Sequence, residues 1–554
     1  MHHDVPGATV GARELLVAAA VFTALTLVFT YPLSVRPGQV VLGDHPDTHL
    51  FLWTLGWVAH ALVHQPLALF DANIFYPLGN SLAFSENLIG SGLIAAPIIW
   101  STGNHVLALN VVTLLSVALC GVGAYFLGRK VGLSVAAAFI CGIIFAFSPP
   151  RFFRIGQLHL TTVQWIPFAL AFLHAYLDRG QARDLKLAAL FFAVQTITSG
   201  HGAVFAGIAM AGLVLFRVVT GTPIAPARRL RDLGVVGLLV LLPVLLIFLP
   251  YHTVQRELGL RRSLENWTVP AISFVASPST VHQAILSRFV PLSTVAETAA
   301  AFLFPGYLPI LLAFAALAVP LRRTWLTSRH ADESLFYGLL AIVSILLTVG
   351  PPLGLWPLVY WLPGFNFIRV PSRFWILATL ALAVLSAIAF DRFRGWVAPR
   401  RRSLAAVGLA VLLLCEFSGI PLAVTPLRIR PPAADRWLAD QPGSFVVAEF
   451  PLTGAPREQT AYMLHSMAHW QKTTHGYSGF EPSIHTSLYA RLRHFPGPEA
   501  MAALRSFAVD YVVVHADRYP PDAWPRLAEQ LQTASPELEL RFQNETSRVY
   551  RLRH

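Results

Sequence analysis

Asp44 and Asp47 stand three residues apart in Gly43-Asp44-His45-Pro46-Asp47-Thr48-His49, just beyond the first long apolar run of a chain with few carboxylates. An ionisable pair at the water-facing mouth of a helical bundle is where a membrane enzyme keeps a general base, because burying such groups is costly unless pairing or function offsets it. The duller reading is local. Asp44, ahead of a helix beginning at Pro46, caps that helix, and Asp47 in its first turn meets the positive end of the helix dipole. The sequence leaves both readings open.

Complementary cations sit at the ends of apolar runs. Arg151 and Arg154 follow one, Arg256, Arg261 and Arg262 follow another, and Arg369 with Arg373 opens a third. Converging, their guanidinium groups would grip a phosphate; singly, each snorkels to lipid headgroups. Trp53, Trp57 and Tyr76 read as interface anchors or as stacking platforms for a sugar. His45, His49, His60, His64, His159 and His201 fall on the same side, but only His60 and His64 share a helical face at ligand spacing, and no metal site is assigned. Glu416 lies inside an apolar run and predicts an arginine partner. The loop His475 to Glu481 surrounds Tyr477 and Phe480 with Gly476 and Gly479, which permit tight turns. It reads either as a cover for an acceptor groove or as a seat on the membrane.

These residues must be held by a membrane framework. The 554 residues are 55% hydrophobic and 13% charged with a mean hydropathy of +0.57, which excludes a soluble protein. The net charge of +12 is spread between apolar runs, which argues for membrane orientation and against nucleic acid. Cys120, Cys141 and Cys415 all lie in apolar runs, so no disulfide framework is available. Arg13 followed by Leu15 to Leu33, without a small-residue cleavage site, predicts a retained first transmembrane helix.

Runs of spanning length fall at about 13 to 33, 104 to 127, 132 to 149, 160 to 178, 184 to 199, 202 to 220, 233 to 251, 299 to 320, 334 to 350, 373 to 391 and 402 to 422, eleven in all. With a cytoplasmic amino terminus, the inner segments hold 18 Arg and Lys and the much longer outer loops hold 8, which fixes the orientation. An odd number of crossings puts the first long loop, 34 to 103, and the tail on the outer face. Within that loop, Leu50 to Val63 and Leu88 to Trp100 read as interfacial helices. The tail changes character. Strands are predicted at Phe445 to Phe450, Val509 to Val514, Leu538 to Phe542 and Arg548 to Leu552, with helices near Glu458 to Trp470, Pro498 to Phe507 and Asp522 to Leu531. The expected division is therefore a transmembrane module, 1 to 429, and a small α/β domain, 430 to 554.

This arrangement resembles the GT-C superfamily of polyprenyl-phosphate-sugar-dependent glycosyltransferases. It is also similar to a widespread group of bacterial membrane proteins described only as glycosyltransferase-like. The residues that carry the second likeness are Gly43-Asp44 with Phe51-Leu52-Trp53 and Trp57, Phe75-Tyr76-Pro77-Leu78-Gly79, Phe147-Ser148-Pro149, Gln164-Trp165-Ile166-Pro167, Arg369-Val370-Pro371-Ser372-Arg373-Phe374 and His475-Gly476-Tyr477-Ser478-Gly479-Phe480. The resemblance implies a membrane all-α bundle with a periplasmic α/β domain, set in a bacterial inner membrane. It implies transfer of a sugar from a polyprenyl-phosphate donor to a lipid, glycan or protein acceptor. It gives the role of base to Asp44 with Asp47 as neighbour or substitute, although the paired acidic motif of the mannosyltransferase branch is not matched. Donor phosphate would fall to Arg151, Arg154, Arg256, Arg261, Arg262, Arg369 and Arg373, and the acceptor or groove to Trp53, Trp57, Tyr76, His159, His201 and Tyr477. No cofactor is fixed, though a divalent cation is compatible. Two other functions fit the same residues: a non-catalytic subunit of this fold that binds a partner complex or glycan, and a lipid or solute transporter. The transporter is disfavoured by long outer regions and the lack of a two-fold repeat.

Overall fold

The computed structural model describes residues 10–259, 269–289, 302–318, 329–350, 353–362, 365, 368, 370–534 and 536–553. They form two compact units, one within Met1–Arg36, Val111–Ile247 and Arg261–Ala423, the other within Pro37–Asn110, Phe248–Leu260 and Val424–His554. The first loop, grouped by sequence with segment 1 to 429, thus shares a unit with the tail.

Each apolar run contains a helix, because uninterrupted Leu, Ala, Val and Ile satisfy the backbone internally, as a spanning segment must. Among the described residues, six are long and apolar enough to cross a membrane: Ala12–Phe29, His105–Lys130, Leu158–Arg179, Gly200–Thr220, His330–Thr348 and Pro371–Trp396. The pair Pro226–Val240 and Val244–Leu258, bent by 56°, makes a seventh if it counts as one span. Val135–Phe147 and Tyr307–Ala318 are shorter apolar helices.

In the helical unit, Trp375–Trp396 is buried along most of its length against Val135–Phe147, Tyr307–Ala318 and Arg329–Thr348. Glycines admit bulk elsewhere. A Cβ on Gly121 or Gly142 would come within 2.3 and 2.2 Å of the fully buried Phe22 ring, so these two positions let the first helix dock closely. Several polar groups inside the bundle are paired: Arg217 reaches Glu333 at 2.7 Å and Asp178 at 3.2 Å, and His174 meets the Tyr337 hydroxyl at 3.0 Å.

The other unit is built on a five-stranded mixed sheet. Its strands are β3 (Val446–Phe450), β4 (Lys472–Thr473), β5 (Tyr511–His515), β6 (Leu538–Gln543) and β7 (Ser547–Leu552), in the order β4-β3-β5-β7-β6; β1 (Val40–Val41) and β2 (Thr425–Pro426) form a separate antiparallel pair. β3 runs parallel to β4 and β5, and β7 runs antiparallel to β5 and β6. Period-two alternation divides the side chains. Val446, Ala448, Phe450, Val512 and Val514 pack under Ser483–Leu492, Pro498–Ser506 and Trp524–Thr533, whereas Val447, Val513 and Val549 pack with Ala434 and Leu438 of Ala433–Ala439. The four expected strands stand within a residue or two of their positions. The two-residue strands and the helices Ala433–Ala439 and Ser483–Leu492 carry too little period to be read in advance.

The two helices expected in the first loop are present as Pro46–His64 and Ile89–Thr102 and pack on each other. The first is not an interface helix with anchoring tryptophans. Trp53 and Trp57 are each 1% exposed, and their indole N–H groups donate to Asn73 Oδ1 and to the Leu69 carbonyl. The physical reason is cover from the tail: helix Pro456–Ser466 lies against Pro46–His64, and the Trp57 ring meets Trp470. Trp100, at 56% exposure, keeps the character expected of an interface residue.

Candidate functional site

Asp44 precedes His45, whose extended backbone leads into Pro46, and the fixed φ of Pro46 suits the first helical position. The N-cap is His45, with no side-chain capping bond, and the Thr48 hydroxyl ties the segment down by donating to the Gly43 carbonyl at 2.7 Å. Asp44 is therefore not a cap. Its Oδ1 lies 2.7 Å from His49 Nε2, and its Oδ2 accepts from Arg457 Nη2 at 2.5 Å. His49 Nδ1 lies 3.1 Å from Thr460 Oγ1, and helix Pro456–Ser466 carries both Arg457 and Thr460.

Burial alone would raise the Asp44 pKa, but the hydrogen bonds and charges of Arg457 and His49 together hold it below the usual carboxylate value. Burial lowers that of His49 despite the carboxylate beside it. Because the Arg457 side chain is 69% exposed, this pair contributes at most about 1 kcal/mol to stability. The cluster consequently does more for the ionisation of Asp44 than for the fold.

Asp47 sits in the first turn of the same helix, where its charge suits the dipole, and its Oδ1 also accepts from the Tyr477 hydroxyl at 2.9 Å. The loop bearing Tyr477 is fixed by close approach more than by turning. A Cβ on Gly476 would come within 2.5 Å of the Phe75 ring, and Phe480 meets Phe84 edge-on. Tyr76 packs against the sheet's core, its carbonyl accepting from His485 Nε2. Trp53, Trp57 and Tyr76 are thus packing residues, whereas Tyr477 and the two aspartates share one surface of the unit.

A second constellation forms in the helical unit. Arg151, Arg154, Ser372, Arg373 and Trp375 border a narrow hollow of about 10 Å³, with Thr379 and apolar side chains completing the wall. Arg151 lies in the short helix Pro149–Phe152, Arg154 in the turn that follows it, and Arg373 in the 3₁₀ turn Pro371–Phe374. They are not equivalent. Arg151 is 3% exposed, and its guanidinium donates to the Ala146 and Thr161 carbonyls and to Cys120 Sγ, so it braces the turn. Arg373 Nη1 lies 2.6 Å from His201 Nε2, and the His201 ring is 5.4 Å from that of His159.

Of the remaining sequence candidates, Arg256 is exposed in the last turn of Pro226–Leu258, a position suited to the negative helix end. Arg261, Arg262 and Arg369 lie outside the described residues. Glu416 has no arginine partner among the described residues. It is bonded to His282 Nε2 at 3.1 Å and accepts from the backbone N–H groups of Tyr307 and Leu308, capping helix Tyr307–Ala318. His60 and His64 stack on each other, with His60 also stacked on Trp470. Burial and its neighbour draw His60 down to about 4. Sequence reasoning missed Arg457, whose only signal was a lone basic residue opening a predicted tail helix.

No family model matches the chain, and neither does any curated protein. Among solved structures, the arabinofuranosyltransferase AftD from Mycobacteria is similar over 99% of this chain at a TM-score of 0.60 and 17% identity. The oligosaccharyltransferase of Archaeoglobus fulgidus, solved in complex with Zn and sulfate, is similar over 97% of this chain at a TM-score of 0.52 and 15% identity. The chain spans 40% of the length of AftD and 72% of that of the oligosaccharyltransferase. It has the GT-C fold.

Proposed function

We propose that the chain is a membrane glycosyltransferase of the GT-C type, moving a sugar from a polyprenyl-phosphate-linked donor to a lipid, glycan or protein acceptor at the periplasmic face. The eleven apolar runs support eleven crossings, and the distribution of positive charge supports placing the first loop and the tail outside. The observation that carries this reading is the Asp44 cluster, an aspartate kept ionised by Arg457 and His49 without serving the helix it precedes.

In the reaction, the acceptor hydroxyl oxygen bonds to the anomeric carbon, the bond from that carbon to the phosphate oxygen breaks, and the phosphate leaves with the electron pair. Asp44 orients the hydroxyl and takes its proton as the new bond forms, when the hydroxyl is most acidic. A low carboxylate pKa suits late proton transfer and early orientation. In the helical unit, Arg154 and Arg373 carry the positive charge suited to a phosphate, with His201 fixing the Arg373 guanidinium. Asp47 and Tyr477 bound the acceptor side.

A second reading also has an observation behind it. Both oxygens of Asp44 are already bonded, which suits a non-catalytic subunit that uses this surface only to bind. Transfer assayed in nanodiscs with radiolabelled polyprenyl-phosphate sugars separates the two. Incorporation of label that is lost in Asp44→Asn supports the enzyme. Donor bound without turnover, unchanged in that variant, supports the binder.

A further inference from the structure

Beneath helix Ala433–Ala439, the alternation that buries Val447 and Val513 places Glu449 of β3 and His515 of β5 on the same face. His465, near the end of Pro456–Ser466, and Asp435 complete a group from four elements whose ligand atoms all lie within 4.8 Å of one another. Glu449 Oε2 is 2.9 Å from His465 Nδ1 and 2.7 Å from His515 Nε2. Asp435 is fully buried, yet among the described residues neither carboxylate oxygen has a hydrogen-bond partner; the imidazoles of His469 and His465 approach it, Nε2 at 3.7 Å and Nδ1 at 3.9 Å. Two buried carboxylates this close repel one another, and an unbonded one costs several kcal/mol in a dry interior.

We propose that Asp435, Glu449, His465 and His515 form a structural site for a divalent transition-metal ion of the zinc class. Two carboxylates balance its charge, and two imidazoles with no thiolate select such an ion over magnesium or calcium. Tetrahedral ligands at bonds of about 2.0 Å stand roughly 3.3 Å apart, so the group needs only small side-chain rotations to close on the ion. His515 is already oriented, its Nδ1 lying 3.2 Å from Ser547 Oγ, which leaves Nε2 for the metal. His465 is not. Its Nε2 lies 3.1 Å from Arg518 Nη2, a donor, so its hydrogen is on Nδ1. Binding through Nδ1 moves that hydrogen to Nε2 and turns the Arg518 guanidinium, which is exposed, away. The ion would pin helix Ala433–Ala439 and helix Pro456–Ser466 to the sheet.

The test uses the full-length protein in detergent, stripped with a chelator and titrated with Zn²⁺, then Co²⁺ and Mg²⁺. Expected are one Zn²⁺ per chain, a raised thermal midpoint, a visible absorption band with Co²⁺ and no Mg²⁺ binding. Asp435→Asn and His515→Gln should weaken Zn²⁺ binding at least about a hundredfold. If those variants fail to fold, Arg518→Met leaves every ligand in place and should tighten Zn²⁺ about tenfold. The site is overturned if the chain binds no Zn²⁺, if binding survives both ligand changes, or if Arg518→Met leaves affinity unchanged.

Discussion

Arg457 donates to Asp44 across 2.5 Å, although 413 residues separate them in the chain. The first loop presents the carboxylate, and a helix of the tail domain sets its charge. The candidate base is therefore controlled from the far end of the sequence.

Replacing Asp44 with Asn keeps its shape and removes its basicity. Sugar transfer should fall at least about a hundredfold with donor binding nearly unchanged. Turnover equal to the parent's, measured with labelled donor, would remove Asp44 from the mechanism.

Arg457→Gln tests the electrostatics. Asp44 has a depressed pKa, so its ionised, active form persists above that value and is lost as pH falls through it. Removing the guanidinium lets protonation begin at higher pH. The acid limb of kcat/KM should move upward while the neutral-pH plateau changes little, and an unmoved limb would mean that Asp44 does not govern it.

Arg373 and Arg151 should behave differently although both border the same hollow. Arg373→Gln should raise the donor KM roughly tenfold to a hundredfold, the worth of one charge-assisted hydrogen bond. Arg151→Lys should instead lower the thermal midpoint, losing about 2 kcal/mol of bonds to carbonyls and Cys120, with the donor KM nearly constant. Titration of donor against both variants, alongside thermal scans, checks the division.

Glu416→Ala should destabilise the helical unit by about 1 to 2 kcal/mol, because the Tyr307 and Leu308 N–H groups lose their acceptor. The drop appears as a lower thermal midpoint. Glu416→Gln, which keeps one acceptor oxygen, should recover part of it.

Local signals in the sequence were enough for much of this architecture. Continuous apolar runs marked helices such as His105–Lys130 and Trp375–Trp396, because a chain in lipid has few other ways to satisfy its backbone. Alternation located β3, β5, β6 and β7 to within a residue or two, since burial on a sheet face has a period of two. The aspartates drew notice because carboxylates are rare here.

What the sequence could not carry was which groups meet. Trp53 and Trp57 have the residue type of interface anchors, and only the tail helix packed over them makes them core. Arg457 on Asp44, Tyr477 on Asp47, and Asp435 with Glu449, His465 and His515 join residues too distant for any spacing to betray. Periodicity reports a residue's own environment, one helix or strand at a time. Hydrogen bonds, ion pairs and ligand sets depend on distances of a few ångströms between elements, and those are decided only when the chain has packed.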